Sequence, residues 1–139
     1  MLENVLTNPS NEARRTESEA LAQKIVAYAW DTKALGVSVM DVRGLISYSD
    51  FIVICSGTSD RHVLAIASGI EKSLRDEGIR PLGTEGRSGG RWVLMDFNDV
   101  VIHLFLEEER DVYALDRLWS DAPKLEINTP PGLERPDYY

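Results

Sequence analysis

The 139-residue sequence predicts a single α+β domain in which helices flank a mixed β-sheet. Three observations lead to this prediction. Two segments repeat apolar residues at helical spacing, one continuous apolar run is typical of a strand buried on both faces, and two later strands are joined by a tight turn. The predicted order of elements is α-β-β-α-β-β-β-α.

The first helix is predicted from a start signal and an apolar repeat. Thr16 and Glu19 fit a capping box, in which a hydroxyl and an acid three residues later satisfy the first free amides of a helix. The helix is expected to run to Lys33 and to stop near Gly36. Residues 1–15 are expected to form a flexible N-terminal extension outside the domain.

Two strands and a second helix are predicted next. Residues 37–42 alternate weakly, whereas residues 51–55 form an uninterrupted β-branched run that is typical of a central strand. Thr58 or Ser59 can cap the second helix, and Gly78 is well placed to end it. The apolar stripe of this helix is expected to contain Val63, Ile66, Ala67, Ile70 and Leu74.

The next part of the chain predicts a hairpin after a glycine-rich loop. A short strand is expected to open at residues 81–82, and residues 83–90 are expected to form the loop. Strands at residues 91–95 and 100–106 would be joined by a turn at residues 96–99. Within that turn, asparagine is one of the few residues other than glycine that tolerate a positive φ.

The domain is expected to close with a helix and to be followed by a tail. The spacing of apolar residues predicts a helix at residues 110–119. The domain is expected to span residues 16–122. Residues 123–139 contain four prolines and are expected to be disordered. The residues available for one face of the last helix are Val112, Leu115, Leu118 and Trp119.

Composition limits the classes of partner. The formal net charge is −8, from 23 acids and 15 bases, and no local basic patch is evident, so direct nucleic-acid readout is not expected and a basic protein partner is favoured. The single cysteine, Cys55, lies in an apolar run and is expected to be buried. No membrane span or signal peptide is evident, which favours a cytoplasmic protein.

Patterns associated with catalysis are weak in this chain. Residues 86–90 match the G-x-S-x-G pattern, but a nucleophile elbow needs a strand before the serine and a helix after it, and a loop is expected here. Asp96 and Asp99 flank a turn without a third acid, so no metal site is expected. Gly83 and Gly86 match a loop of some RNA-binding domains at two positions, which carries little information.

Aromatic residues around the hairpin are more informative. Phe97 is predicted to lie at the hairpin tip, where an exposed ring is poorly explained by core packing and is typical of a contact anchor. Trp92 and Tyr113 would either extend the same aromatic surface or pack in the core. In the strand at residues 100–106, His103 and Phe105 are expected to share one face.

Four stretches resemble the family of ribosomal silencing factors known as RsfS or Iojap. Residues 49–58 read SDFIVICSGT and are similar to the central strand and turn of the family, and residues 61–63 match the start of its second helix. Residues 92–103 match its hairpin and residues 110–119 its closing helix. The resemblance covers about residues 17–120, although the family usually has glycine where Asn98 stands.

The resemblance implies a nucleotidyltransferase-like, non-catalytic fold. In agreement, the D-x-D pair that would hold metal does not follow the turn at residues 57–59, so no enzyme and no cofactor are expected. The family implies binding to the large ribosomal subunit through ribosomal protein uL14. Binding there would block association with the small subunit by bulk and repress translation under nutrient limitation. Two alternatives are a large-subunit assembly factor and a residual nucleotidyltransferase-fold enzyme.

The resemblance also implies a set of contact residues for the ribosomal protein. Trp92 and Phe97 would be apolar anchors, Tyr113 an amphipathic one, and Asp96 a polar contact or a turn stabiliser. A homodimer is a further expectation, because a hairpin and a sheet edge invite pairing. The full set of expected partner-binding residues is Trp92, Leu94, Asp96, Phe97, His103, Phe105 and Tyr113.

Overall fold

The structure, a computed structural model, describes the backbone of residues 9–136 and the side chains from residue 16 onward. It contains the predicted α+β elements, with a break in the last helix. The elements are α1 (Pro9–Asp31), β1 (Leu35–Asp41), β2 (Phe51–Gly57), α2 (Asp60–Asp76), β3 (Gly83–Glu85), β4 (Trp92–Asp96), β5 (Val100–Leu106), α3 (Glu107–Tyr113) and α4 (Leu115–Leu118).

The five strands form one mixed sheet in the order β1-β2-β5-β4-β3. β2 and β5 lie parallel at its centre, and the other three neighbouring pairs are antiparallel. All seven residues of β2 and all seven of β5 are buried. The prediction of a mixed sheet with a fully buried central strand is therefore confirmed.

The two faces of the sheet are covered differently. One face packs against α1 and α2 and forms the main core, while the second face carries a smaller cluster against which Leu115 and Trp119 pack. The main core includes Val39, Phe51, Val53, Cys55, Val93, Met95, Ile102 and Leu104. The smaller cluster consists of Met40, Val42, Ile52, Ile54, Phe105 and Ala122.

α1 begins earlier than the capping box predicted. It starts at Pro9, so Thr16 lies inside the helix and does not cap it. Proline is favoured at the first helical position because its missing N–H would lack a helical partner there in any case. Residues 9–15 thus belong to a helix, and residues 1–8 of the predicted extension lie outside the described residues.

α2 matches its prediction in cap, stripe and end. The Ser59 hydroxyl accepts a hydrogen bond from the amide of His62 at 3.0 Å, as an N-cap does. Gly78 follows the helix with a φ of 82°. The buried residues of α2 are the five predicted ones: Val63, Ile66, Ala67, Ile70 and Leu74.

Two local predictions need correction. β3 occupies residues that were expected to belong to the glycine-rich loop, and it pairs with β4 from Gly83 to Glu85. The last helix is broken in two at Ala114, whose φ of 53° is left-handed and therefore cannot continue an α-helix. Within residues 9–136, no helix combines the length and the apolar composition that crossing a membrane requires.

Residues 123–139 were expected to be disordered, but the C-terminal segment, residues 123–136, packs along the outer edge of β1, and residues 137–139 lie outside the described residues. The amide of Asp41 donates to the carbonyl of Pro123 at 2.8 Å, and the amide of Leu125 donates to the carbonyl of Val39 at 2.9 Å. Further along, Leu133 is buried and its carbonyl accepts from the amide of Gly36. The domain therefore does not end at residue 122.

Candidate functional site

The second face of the sheet carries most of the expected contact residues. In the antiparallel β4–β5 pair, Trp92 lies opposite Phe105 and Leu94 lies opposite His103, so these four side chains share one face. Tyr113, at the end of α3, adds a ring to them. We call Trp92, His103, Phe105 and Tyr113 the aromatic cluster.

The rings of the aromatic cluster contact one another closely. The ring centroid of Trp92 lies 5.1 Å from that of Phe105 and 4.4 Å from that of Tyr113. Phe105 is fully buried and its centroid lies 5.8 Å from that of Tyr113, so it supports both outer rings from below. Trp92 is half-buried and Tyr113 is 47% exposed. The outer rings therefore meet solvent while their positions are fixed by packing.

A hydrogen bond fixes the indole of Trp92. Its Nε1–H donates to Nδ1 of His103 at 3.0 Å. Because an indole nitrogen can only donate, the imidazole must be neutral and must carry its proton on Nε2. Burial lowers the pKa of His103 to about 4, which keeps the ring neutral near neutral pH.

Two of the expected contact residues are inaccessible. Phe105 is 0% exposed and His103 is 9% exposed, so they hold the outer rings in place and offer a partner little surface. Sequence alternation predicted correctly that they share a face. It could not show that Trp92 and Tyr113 would cover them.

Phe97 does not form an exposed anchor, and this expectation is wrong. It is 6% exposed and belongs to the main core. The hairpin tip is not free in solution, because the amides of Asp50 and Phe51 both donate to the carbonyl of Asp99. The ring at this tip therefore packs inward, on the face opposite the aromatic cluster.

Asp96 stabilises the turn, which is one of the two roles considered for it; a polar contact to a partner stays a prediction. Its Oδ1 accepts a hydrogen bond from the amide of Asn98 at 2.8 Å, which stabilises the turn between β4 and β5. Asn98 has a φ of 74°, as the turn requires. The prediction of a turn with a left-handed Asn98 is confirmed.

Sequence reasoning missed two exposed apolar residues near the cluster. Val112 is 71% exposed and Leu118 is 64% exposed, whereas the sequence predicted one continuous helix with both residues available for the same face. The left-handed Ala114 lies between these two residues, so Val112 belongs to α3 and Leu118 to α4, and the two do not share one continuous helical face. Alanine is a strong helix former, so no local signal marked the break.

The elements around the G-x-S-x-G pattern are not those of a nucleophile elbow. β3 precedes residues 86–90 and β4 follows them, so the serine sits in a strand–turn–strand unit. Both ring nitrogens of His62 already have partners: Nδ1 accepts from the amide of Thr58, and Nε2 lies 2.8 Å from the carbonyl of Thr32. Among residues 16–136, whose side chains the structure describes, the histidines, acids and cysteine form no group of three or more that could hold a metal ion.

Comparison with known proteins identifies the family. The model of a protein family described as "Ribosomal silencing factor during starvation" (RsfS) matches residues 15–137. The chain belongs to the RsfS family. The match extends beyond the resemblance seen in the sequence and includes the C-terminal segment.

Individual relatives agree with the family assignment. The chain is 41% identical over 106 residues to the ribosomal silencing factor RsfS of Bacillus subtilis, covering 76% of this chain and 90% of that protein. A crystal structure from Bacillus halodurans has a TM-score of 0.71 and 38% identity, covering 78% of this chain and 99% of that one.

A more distant relative has a different name. The chain is 33% identical over 99 residues to a mouse protein named "Mitochondrial assembly of ribosomal large subunit protein 1", covering 69% of this chain and 43% of that protein. These comparisons support an RsfS fold and a ribosome-related family. The likeness to nucleotidyltransferases stays a prediction.

Proposed function

We propose that this RsfS-family chain binds the large ribosomal subunit through ribosomal protein uL14 and sterically blocks association with the small subunit. It thereby represses translation when nutrients are limiting. Family membership supports a silencing role, and the partly exposed rings of Trp92 and Tyr113 on a rigid sheet face are the observation that carries the proposed docking surface. The surface consists of Trp92, Leu94, Val112, Tyr113 and Leu118.

The construction of this surface favours a protein partner. Rings that are fixed before binding lose little conformational freedom when they are covered, and aromatic residues are enriched among those that dominate binding energies. The indole of Trp92 is fixed by its hydrogen bond to His103, and Phe105 supports the outer rings. The partner would then cover an apolar surface that already has its final shape.

The charge of the chain supports a basic partner. The formal net charge is −8. This net negative charge would speed encounter with a cationic ribosomal protein and would be repelled by the surrounding RNA phosphates. Electrostatic attraction would therefore guide the chain to a protein surface of the subunit.

The test is direct binding to purified uL14 and co-sedimentation with isolated large subunits. Tyr113→Ala should weaken both by at least about tenfold, because it removes an exposed ring from the centre of the surface. Tyr48→Ala is the matched control, since Tyr48 is also exposed, at 62% against 47%, but is not part of the proposed surface. Trp92→Ala should have an effect as large as that of Tyr113→Ala.

Equal binding by Trp92→Ala, Tyr113→Ala and the unchanged chain would reject the surface. Light scattering during mixing of the two ribosomal subunits then tests whether the chain blocks their association. Stoichiometric addition of the chain to large subunits should reduce the association signal. Full association with the chain bound would reject steric blocking.

A role in assembly of the large subunit is the second candidate. The name of the mouse relative favours it, and the same docking surface would serve. Depletion of the protein in growing cells separates the two roles. Accumulation of immature large subunits would favour assembly, whereas excess joined ribosomes during starvation with normal large subunits would favour silencing.

The described structure constrains a homodimer formed by edge pairing. The C-terminal segment covers the β1 edge, so such a dimer would have to use the other edge, β3. β3 has three residues and is preceded by Leu82, which is 73% exposed. Sedimentation equilibrium of the chain and of Leu82→Glu would test this contact, because a monomeric variant and a dimeric parent are expected.

A further inference from the structure

Arg135 connects the C-terminal segment to α3 through two acids. Its Nε lies 2.7 Å from Oε1 of Glu107, and its Nη1 lies 3.0 Å from Oδ1 of Asp111. Glu107 is the first residue of α3 and Asp111 lies one turn further along. One guanidinium therefore bonds to two acids that lie one turn apart on this helix.

Glu107 makes this contact more than a surface ion pair. It is 6% exposed, and its second carboxylate oxygen accepts a hydrogen bond from the hydroxyl of Ser56 on β2. A buried carboxylate is strongly unfavourable unless an opposite charge and hydrogen bonds compensate for its lost hydration. Arg135 supplies that charge, so the position of α3 on the sheet depends in part on a residue of the C-terminal segment. Arg110 of α3 also holds this position, because it donates to the carbonyl of Leu35 and to the hydroxyl of Ser56.

The start of β1 is shaped to receive Arg135. A Cβ atom at Gly36 would lie 2.1 Å from Cγ of Arg135, so any larger residue at this position would displace the arginine stem. Gly36 also has a φ of 55° and donates its amide hydrogen to the carbonyl of Leu133. The glycine and the arginine fit together across 99 residues of chain.

α3 needs external contacts to keep its position. It has seven residues, and a helix of this length has little stability of its own in water. Tyr113 is its last residue and depends on that position to meet Trp92 at 4.4 Å. We propose that Arg135 is a positioning residue, which holds α3 through Glu107 and Asp111 and thereby keeps Tyr113 in place for partner binding.

The effect of Arg135 on partner binding rests on the proposed function, but its effect on the position of α3 can be tested alone. Arg135→Ala is compared with Arg87→Ala, because Arg87 also pairs with a glutamate, Glu71, and its side chain is similarly exposed, at 34% against 29%. Neither Arg87 nor Glu71 belongs to α3. Nuclear Overhauser effects between the ring protons of Tyr113 and Trp92 report the position of α3 directly.

Arg135→Ala should lose these ring-to-ring effects at a temperature where circular dichroism shows the protein to be folded, and Arg87→Ala should keep them. Arg135→Lys should restore them in part, because it keeps the charge but not the forked geometry. If α3 then docks about a tenth of the time, binding to purified uL14 weakens about tenfold. Arg87→Ala should bind as the unchanged chain does.

The outcomes separate this inference from the proposed function. Preserved Tyr113–Trp92 effects in Arg135→Ala would overturn the positioning role, whatever the binding result. Lost effects with unchanged uL14 binding would overturn the binding consequence. If the unchanged chain does not bind uL14, the proposed function fails, and the nuclear Overhauser effects still decide whether Arg135 positions α3.

Discussion

The indole nitrogen of Trp92 lies 3.0 Å from Nδ1 of His103, and the two residues sit diagonally across the β4–β5 pair. The contact joins an exposed part of the proposed docking surface to a buried titratable group. Because protonated imidazole has no acceptor nitrogen, charging His103 would break this hydrogen bond. Protonation of one ring therefore affects both stability and the position of the indole.

The stability of the protein should fall with acidification through His103. Burial lowers the pKa of His103 to about 4 in the folded chain, whereas an unfolded histidine titrates near about 6.5. Between these values the unfolded state binds more protons. The stabilising contribution is thus complete above pH about 6.5 and is lost as the pH falls towards about 4, at up to about 1.4 kcal/mol per pH unit. Urea unfolding at a series of pH values measures this slope.

His103→Asn is the control for this prediction. The amide oxygen of asparagine can accept the indole hydrogen bond but does not titrate, so stability should change less between pH about 6.5 and about 5. Burial raises the pKa of Asp116, but the hydrogen bond and the opposite charge of Arg110 lower this pKa by more, so the net shift is downward. Asp116 therefore titrates below the pH range in which His103 changes stability. Identical slopes for the two proteins would show that His103 is not the group responsible.

Phe97→Ala should destabilise the fold by about 3–5 kcal/mol, because it leaves a cavity in the main core. Tyr113→Ala should cost less than about 1 kcal/mol, since that ring is 47% exposed. Denaturant unfolding followed by circular dichroism compares the two. A Phe97→Ala protein as stable as its parent would contradict the burial of this ring and restore it as a candidate contact.

Cys55 should be unreactive in the folded protein. Burial raises the pKa of its thiol to about 12, and the side chain is 0% exposed, so neither thiolate nor access is available. Ellman's reagent should detect no thiol near neutral pH in native protein and one equivalent after denaturation in guanidinium chloride. Rapid labelling of the native protein would contradict the predicted inertness.

Asn98→Ala should destabilise the β4–β5 turn by about 1–2 kcal/mol, because alanine is strained at a φ of 74°. Asn98→Gly should change stability by less than about 1 kcal/mol, since glycine adopts this conformation freely but gains entropy when unfolded. Thermal unfolding of both variants checks this order. Equal stability of the two would mean that the left-handed conformation at residue 98 carries no cost.

Local patterns were sufficient for most elements of the fold. The cap at Ser59, the five-residue stripe of α2 and the left-handed Asn98 all depend on residues within a few positions of one another. The continuous apolar run of β2 likewise reports its own burial on both faces. For the candidate site, alternation predicted which residues of β5 share a face.

Two of the failed predictions concern contacts between distant parts of the chain. Phe97 is buried because the hairpin tip is tied to residues at the start of β2, which a turn pattern does not reveal. The C-terminal segment is ordered because Leu133 and Arg135 find partners at Gly36 and Glu107. Its prolines led to the prediction of disorder, but prolines do not exclude docking along a sheet edge.

The covering of β1 by residues 123–125 has a consequence for the newly made chain. These residues are synthesised after every strand of the sheet, so the sheet can assemble while the outer amides and carbonyls of β1 still face water. During that interval the unfinished protein offers a bare strand to any extended neighbour, which invites aggregation. Completion of the polypeptide removes this hazard by closing the strand from within the same molecule.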